Sequence, residues 1–269
     1  MSAPAPTMTG LVRSELRKVT STRLWWGMLI GLAFFTAVQA VAVAATAGTT
    51  PGPGQPASPG LGTAEAVRSI YAGSLFAGSY IFALVLGITG MTGEYRYQTI
   101  TSTFLVSPHR SRVVVAKILA HAVIGVVYAV LGLLVVLVAG GTTMAIRGYG
   151  FGLDADRLWV TMGLAVLAVA IWTVLGIGIG TLIRSQIAAI VIAILITFLI
   201  EPLLTFALAA ADMDWLVKWL PSNASSALMA PGNVMLDYLE WWAGGVVLLA
   251  YGLVLAGLGV VLSVRRDVS

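Results

Sequence analysis

The sequence predicts an all-α integral membrane protein: a bundle of six transmembrane helices, an amphipathic interfacial helix at the N-terminus, and short external helices before the last span. Three observations predict it. Of the 269 residues 59% are hydrophobic and only 10% charged, and the mean hydropathy is +0.96, outside the range of soluble domains. The charges are also grouped, leaving long uncharged gaps, and a helix needs about 20 apolar residues at ~1.5 Å each to cross roughly 30 Å of hydrocarbon. Finally, Lys and Arg are shared unequally between alternate connections, as expected when basic residues stay on the cytoplasmic side.

The elements follow in chain order. Over 9–23, Val12, Leu16 and Val19 fall at helical spacing, while Arg13, Ser14, Arg17 and Lys18 occupy other faces. This is an amphipathic cytoplasmic helix, read either as a basic anchor or as a surface that also touches a partner. No charge lies between Arg23 and Glu65, which places the first span at 25–45 behind the interfacial Trp25 and Trp26. A signal peptide is the rival reading of this segment. Its apolar stretch exceeds the roughly 7–15 residues of such a signal, and a Pro/Gly-rich external loop over 49–62 accounts for the small residues that follow.

Further spans are expected at 70–92, 115–140, 158–182 and 242–264. Another, fifth in order at 186–210, is interrupted by Glu201-Pro202 and predicts one helix with a break. The segment 212–240 carries Trp215, Trp219, Trp241 and Trp242 at or near its ends among Asp212, Asp214, Asp237 and Glu240. It suits helices lying at the outer interface or a simple aromatic belt.

Six spans put both termini on one side. That side holds Arg13, Arg17, Lys18, Arg23, Arg96, Arg110, Arg112, Lys117, Arg184, Arg265 and Arg266, against Arg68, Arg147, Arg157 and Lys218 on the other. The expectation is a multi-pass protein of the plasma membrane with both termini cytoplasmic. The chain reads as a single transmembrane domain over 1–269 with no internal repeat.

Composition also removes several kinds of chemistry. With no cysteine there is no disulfide framework, thiol nucleophile or thiolate metal site. His109 and His121 are too few for an imidazole metal cage, and neither H-E-x-x-H nor G-x-S-x-G occurs, so no enzyme activity or metal site is expected. The net charge of +4 sits beside apolar runs, which directs it to anionic lipid and not to nucleic acid.

The segment 93–112, GEYRYQTITSTFLVSPHRSR, is long for an inner loop and mixes charges with aromatics. It is either a solvated connection or a polar lever joining two spans. Gly93-Glu94-Tyr95-Arg96, Thr99-Ile100, Ser107-Pro108-His109-Arg110 and Ala116-Lys117 resemble the inner loop of ABC-2 type transporter permeases, and the likeness in layout covers nearly the whole chain.

The resemblance implies that an amphipathic N-terminal helix precedes six spans, that the loop between spans two and three couples to an ATPase subunit, and that re-entrant external helices precede span six. Lys218-Trp219-Leu220-Pro221-Ser222, followed by Ala227-Leu228, looks like that external segment. It implies a coupling role for Glu94, Tyr95, Arg96, Thr99, Pro108 and Arg110, with Arg13, Glu15, Arg17 and Lys18 on the interfacial helix. No lysine lies in a G-x-x-x-x-G-K-[ST] phosphate loop. ATP and Mg would therefore belong to a separate nucleotide-binding subunit, with no cofactor on this chain, and two permease chains would pair with two ATPases, for export.

Glu201 lies well inside an apolar segment, where an ionisable group is costly. It either lines a cavity or gate, or is hydrogen-bonded where the helix bends. Gln39 in the first span is a second such candidate, or a helix-to-helix hydrogen bond. Gly27-x-x-x-Gly31 and Gly176-x-Gly178-x-Gly180 predict close helix approach. Two other functions stay open: a stand-alone secondary transporter or channel using Glu201, and a membrane scaffold.

Overall fold

The structure, a computed structural model, describes residues 7–49, 58–99, 110–230 and 239–266. Among them the chain is helical apart from short connections, and six helices are long and apolar enough to cross a membrane. The elements are α1 (Met8–Thr20), α2 (Leu24–Thr46), α3 (Ala64–Arg96), α4 (Arg110–Ile146), α5 (Leu158–Leu182), α6 (Gln186–Ala210), α7 (Asp214–Val217), α8 (Pro221–Met229) and α9 (Trp241–Arg266). The six spans are α2 to α6 and α9.

Spans α3 and α5 form the axis of the bundle. Their most apolar windows are 61% and 72% buried, against 22% for each of α2, α6 and α9. The axis is tight because small residues face each other across it. A Cβ on Gly87 would lie 2.1 Å from the Thr173 carbonyl oxygen, and one on Gly176 would lie 2.1 Å from that of Leu84. In lipid, where apolar burial drives helices together only weakly, such close backbone approach supplies the packing. Gly178 and Gly180 meet backbone of α9 and α3 in the same way. The expectation for Gly27 fails: nothing lies within 4 Å of a Cβ there, whereas Gly31 abuts the Phe82 ring.

Two spans carry a π turn. In α3 it covers Ser69–Gly73, and Tyr71 within it donates to the Phe151 carbonyl at 2.7 Å. In α6 it covers Ile196–Ile200, directly before Glu201-Pro202. Pro202 has no N–H for the Phe198 carbonyl and its ring crowds that turn, so the helix widens there and continues without breaking.

Connections at one end are held by side-chain hydrogen bonds. Arg147 donates from Nη1 to the carbonyls of Ala44 at 2.7 Å and Ala47 at 3.0 Å, covering orphan acceptors at the C-terminus of α2. At the same end, the short α7 and α8 lie between α6 and α9. On α8 the side chains of Ala224, Ser225, Ala227 and Leu228 are buried, and Trp172 of α5 donates to Ser225 Oγ at 2.9 Å.

Candidate functional site

At the opposite end, four charges from three parts of the chain close into a ring. Lys18 Nζ donates to Glu15 Oε1 at 2.7 Å and to Glu94 Oε1 at 2.6 Å. Lys117 Nζ donates to Glu15 Oε2 at 2.6 Å, to Glu94 Oε1 at 2.8 Å and to the Gly90 carbonyl at 3.3 Å. Two carboxylates and two ammonium groups sum to zero, which is what allows Glu15, Glu94 and Lys117 to be buried together. Lys18 alone stays in part exposed.

Local sequence explains how each member arrives. On α1, Leu16 and Val19 pack against the buried Leu32, Leu86, Ile124 and Tyr128, and Glu15 enters beside this apolar face. Arg13 and Arg17 remain exposed on the outer side of α1. Lys117 lies in the second turn of α4 on a face shared with the buried Val113, Val114, Ala120 and His121, so it has no route to snorkel outward. His121 is accommodated because position 90 is glycine: a Cβ there would fall 1.9 Å from Nε2. Tyr128, further along α4, donates its hydroxyl to the Trp25 carbonyl and ties α4 to the start of α2.

Electrostatics follow the geometry. Burial pushes the Glu15 carboxyl up, but the charge and hydrogen bond of Lys117, and then Lys18, outweigh it and leave the group below its ordinary value of 4.5. For Lys18 burial works to lower the ammonium pKa, and hydrogen bonds to Glu15 and Glu94 raise it above 10.5. Both groups are thus held charged by each other.

The remaining coupling candidates fan out from the ring. Gly93 to Arg96, expected in the loop, are instead the last turn of α3, and Gln98 ends the run with φ of 57°. Tyr95 lies under the Arg184 guanidinium, 5.6 Å from the ring centroid. Arg96 reaches Gln186 Oε1 at 3.4 Å. These two contacts connect the end of α3 to the α5–α6 turn. Thr99 donates its backbone N–H to the Glu94 carbonyl at 3.0 Å. A cavity of about 540 Å³ opens between α1 and the bundle, lined by Val19, Trp25, Leu86, Thr89, Tyr97 and Thr99 among others. Pro108 lies outside the described residues, as does the side chain of Arg110, whose backbone begins α4.

The two intramembrane candidates lie elsewhere. Glu201 is 5% exposed and accepts the backbone N–H of Ser222 at 2.5 Å, capping the first turn of α8 from another helix. Gln39 is half-buried on α2, about 22 Å along the helix from Leu24. The sequence reading missed Lys117 as the hub of the ring. The available signal was a lysine embedded in Val-Val-Val-Ala-Lys-Ile-Leu-Ala with apolar neighbours at i−4, i−3 and i+3, a position that demands a carboxylate partner.

Among the described residues no group of three or more acidic or His side chains is placed to hold a metal. No curated protein matches the chain. Comparison with family profiles matches residues 11–200 to the ABC-2 family transporter protein. That range runs from the interfacial helix through the ion ring to the π turn of α6, more than half of the chain, and the protein therefore belongs to the ABC-2 transporter family as a multi-pass membrane permease component.

Proposed function

We propose that this chain is the permease of an ATP-driven exporter, and that a separate ATPase subunit docks at the end of the bundle where the ion ring lies. The observation that carries the reading is the ring itself. Because Lys117 and Lys18 join Glu15 of α1 to Glu94 at the end of α3, a push on α1 or on the α3–α4 connection is delivered to two spans together. Breaking that linkage locally is costly, since each buried charge depends on the others. Force is then passed on in preference to being absorbed.

In this reading the basic residues of the same end, Arg13, Arg17, Arg96 and Arg184 among them, set the cytoplasmic side of the plasma membrane. ATP and Mg bind the partner, two permease chains pair with two ATPases, and ATP-driven closure of the partners switches the paired bundles between inward and outward access. Glu94, Tyr95, Arg96, Thr99, Pro108 and Arg110 form the docking segment, with Arg13, Glu15, Arg17 and Lys18 beside it. The test is the double variant Glu94→Ala/Arg96→Ala, co-expressed with the ATPase recovered from native membrane. ATP-dependent transport should be lost while insertion is retained, although thermal stability falls with the loss of a ring partner; undiminished transport would sink the proposed lever.

A further inference from the structure

Near the middle of the spans a second constellation takes no part in the ion ring. Phe76 and Tyr80, one turn apart on α3, stack with ring centroids 5.1 Å apart. Tyr80 meets Trp172 of α5 edge-on at 5.0 Å and Phe198 of α6 at 6.0 Å. Trp172 is fully buried behind them, Phe76 and Tyr80 are half-buried, and Phe198 is 55% exposed. Three spans therefore bring their rings into one cluster, with Phe198 at the bundle surface.

Independent observations gather at the same place. Phe198 sits inside the π turn of α6, a distortion that recurs at functional sites. Glu201 follows Phe198 by three residues, in the next turn of the same helix. Its carboxylate is paired with backbone N–H of Ser222 and not with a cation. Among the described residues the Tyr80 hydroxyl has no hydrogen-bond partner, although a phenol in apolar surroundings ordinarily finds one. Aromatic rings, a carboxyl one turn along α6 with no cationic partner among the described residues, and an unused phenol oxygen share one preference: a large, weakly hydrated organic cation.

We propose that Phe76, Tyr80 and Phe198, backed by Trp172 and Glu201, form a binding site for hydrophobic organic cations. The cation enters from the bilayer or from the space between two permease chains. Its charge sits over the Tyr80 and Phe198 rings in the field of Glu201, and its apolar groups lie against Phe76. The site rests on the permease reading only for its role as a transport site; binding itself requires no ATPase.

The experiment uses the full chain in lipid nanodiscs without any partner, with empty nanodiscs subtracted, and two probes of nearly identical shape and opposite charge, tetraphenylphosphonium and tetraphenylborate. The expected result is saturable, stoichiometric retention of the phosphonium and none of the borate. Tyr80→Leu and Phe198→Leu should each weaken phosphonium binding about tenfold. Glu201→Gln, whose amide oxygen still accepts from Ser222, should reduce the preference for the cation while leaving gel-filtration behaviour unchanged. Equal retention of both ions by the wild-type chain, or phosphonium retention no greater than in empty nanodiscs, overturns the proposal whatever the variants do. Failure here with an ATPase still bound to the chain would remove this site and leave the permease reading standing.

Discussion

Glu94 and Glu201 are both acids in apolar helices, 6% and 5% exposed, yet the protein holds them in opposite ways. Glu94 is neutralised by two ammonium groups drawn from α1 and α4, so its burial ties three chain segments into one mechanical unit. Glu201 is met by the backbone N–H of Ser222 at the start of a short helix, a partner with partial charge only. The first arrangement locks segments together and is electrically silent at a distance. The second leaves a carboxyl with no cationic partner among the described residues, three residues on from Phe198 of the aromatic cluster. Under the proposed function and the proposed cation site, the first carboxylate serves transmission at one end and the second recognition near mid-span.

The largest expected effect breaks the first arrangement. Lys117→Met leaves two carboxylates buried with Lys18 alone, and loss of one partner from a buried ion network costs about 3–5 kcal/mol. Thermal unfolding in detergent should fall sharply, and trypsin should gain access to Arg13 and Arg17. The triple variant Glu15→Gln/Glu94→Gln/Lys117→Met removes the charge problem and should recover most of that stability, but not coupled activity. If the single variant is as stable as wild type, the ring does not hold α1.

A smaller effect is expected from the second arrangement. Glu201→Ala removes a cap and should cost about 1 kcal/mol, read as earlier unfolding, whereas Glu201→Gln should cost less because an acceptor is kept. Equal loss in the two variants would mean that the charge, and not the hydrogen bond, supports α8.

The smallest effect is the pH response of α1. Glu15 is lowered from 4.5, so its stabilising contribution is present above that value and fades as pH falls through its folded pKa. Lys18 is raised from 10.5, so its contribution is present below that value and is lost as pH rises through its folded pKa. Because Lys18 is nearly half-exposed, its share is further reduced by solvent screening. A nitroxide at Ser14→Cys should keep constant mobility between about pH 5 and pH 10 and loosen outside that window.

The spans were legible in the sequence because a membrane imposes one requirement, about 20 apolar residues without charge, and local composition reports it directly. The amphipathic α1 was legible for the same reason, through the spacing of Val12, Leu16 and Val19. What was not legible depends on pairing across distance. Lys117 meets Glu94 from 23 residues away and Glu15 from 102, and no local pattern encodes either contact. Glu15 looked like one more polar residue of an interfacial helix until α1 was laid against α3 and α4. The reach of α3 through Arg96 was likewise hidden, because Glu94 reads as loop when its cation is unknown. Glu201 was visible as an anomaly, but its partner belongs to α8, which forms only where Pro221 and the Trp-rich segment fold back onto α5 and α9. The aromatic cluster was invisible because Phe76, Tyr80, Trp172 and Phe198 are each ordinary residues of a span.

The absence of cysteine from the chain makes the central claim directly testable by cross-linking to the ATPase recovered with it from native membrane. A single cysteine at Arg17, at Arg96 or at Lys218 is a unique handle for a short bifunctional reagent. The account predicts that Arg17→Cys and Arg96→Cys capture a subunit carrying a phosphate loop, and that Lys218→Cys, at the other end of the bundle, does not. Capture from position 218 alone, or from none of the three in a well-folded protein, would contradict docking at the ion ring.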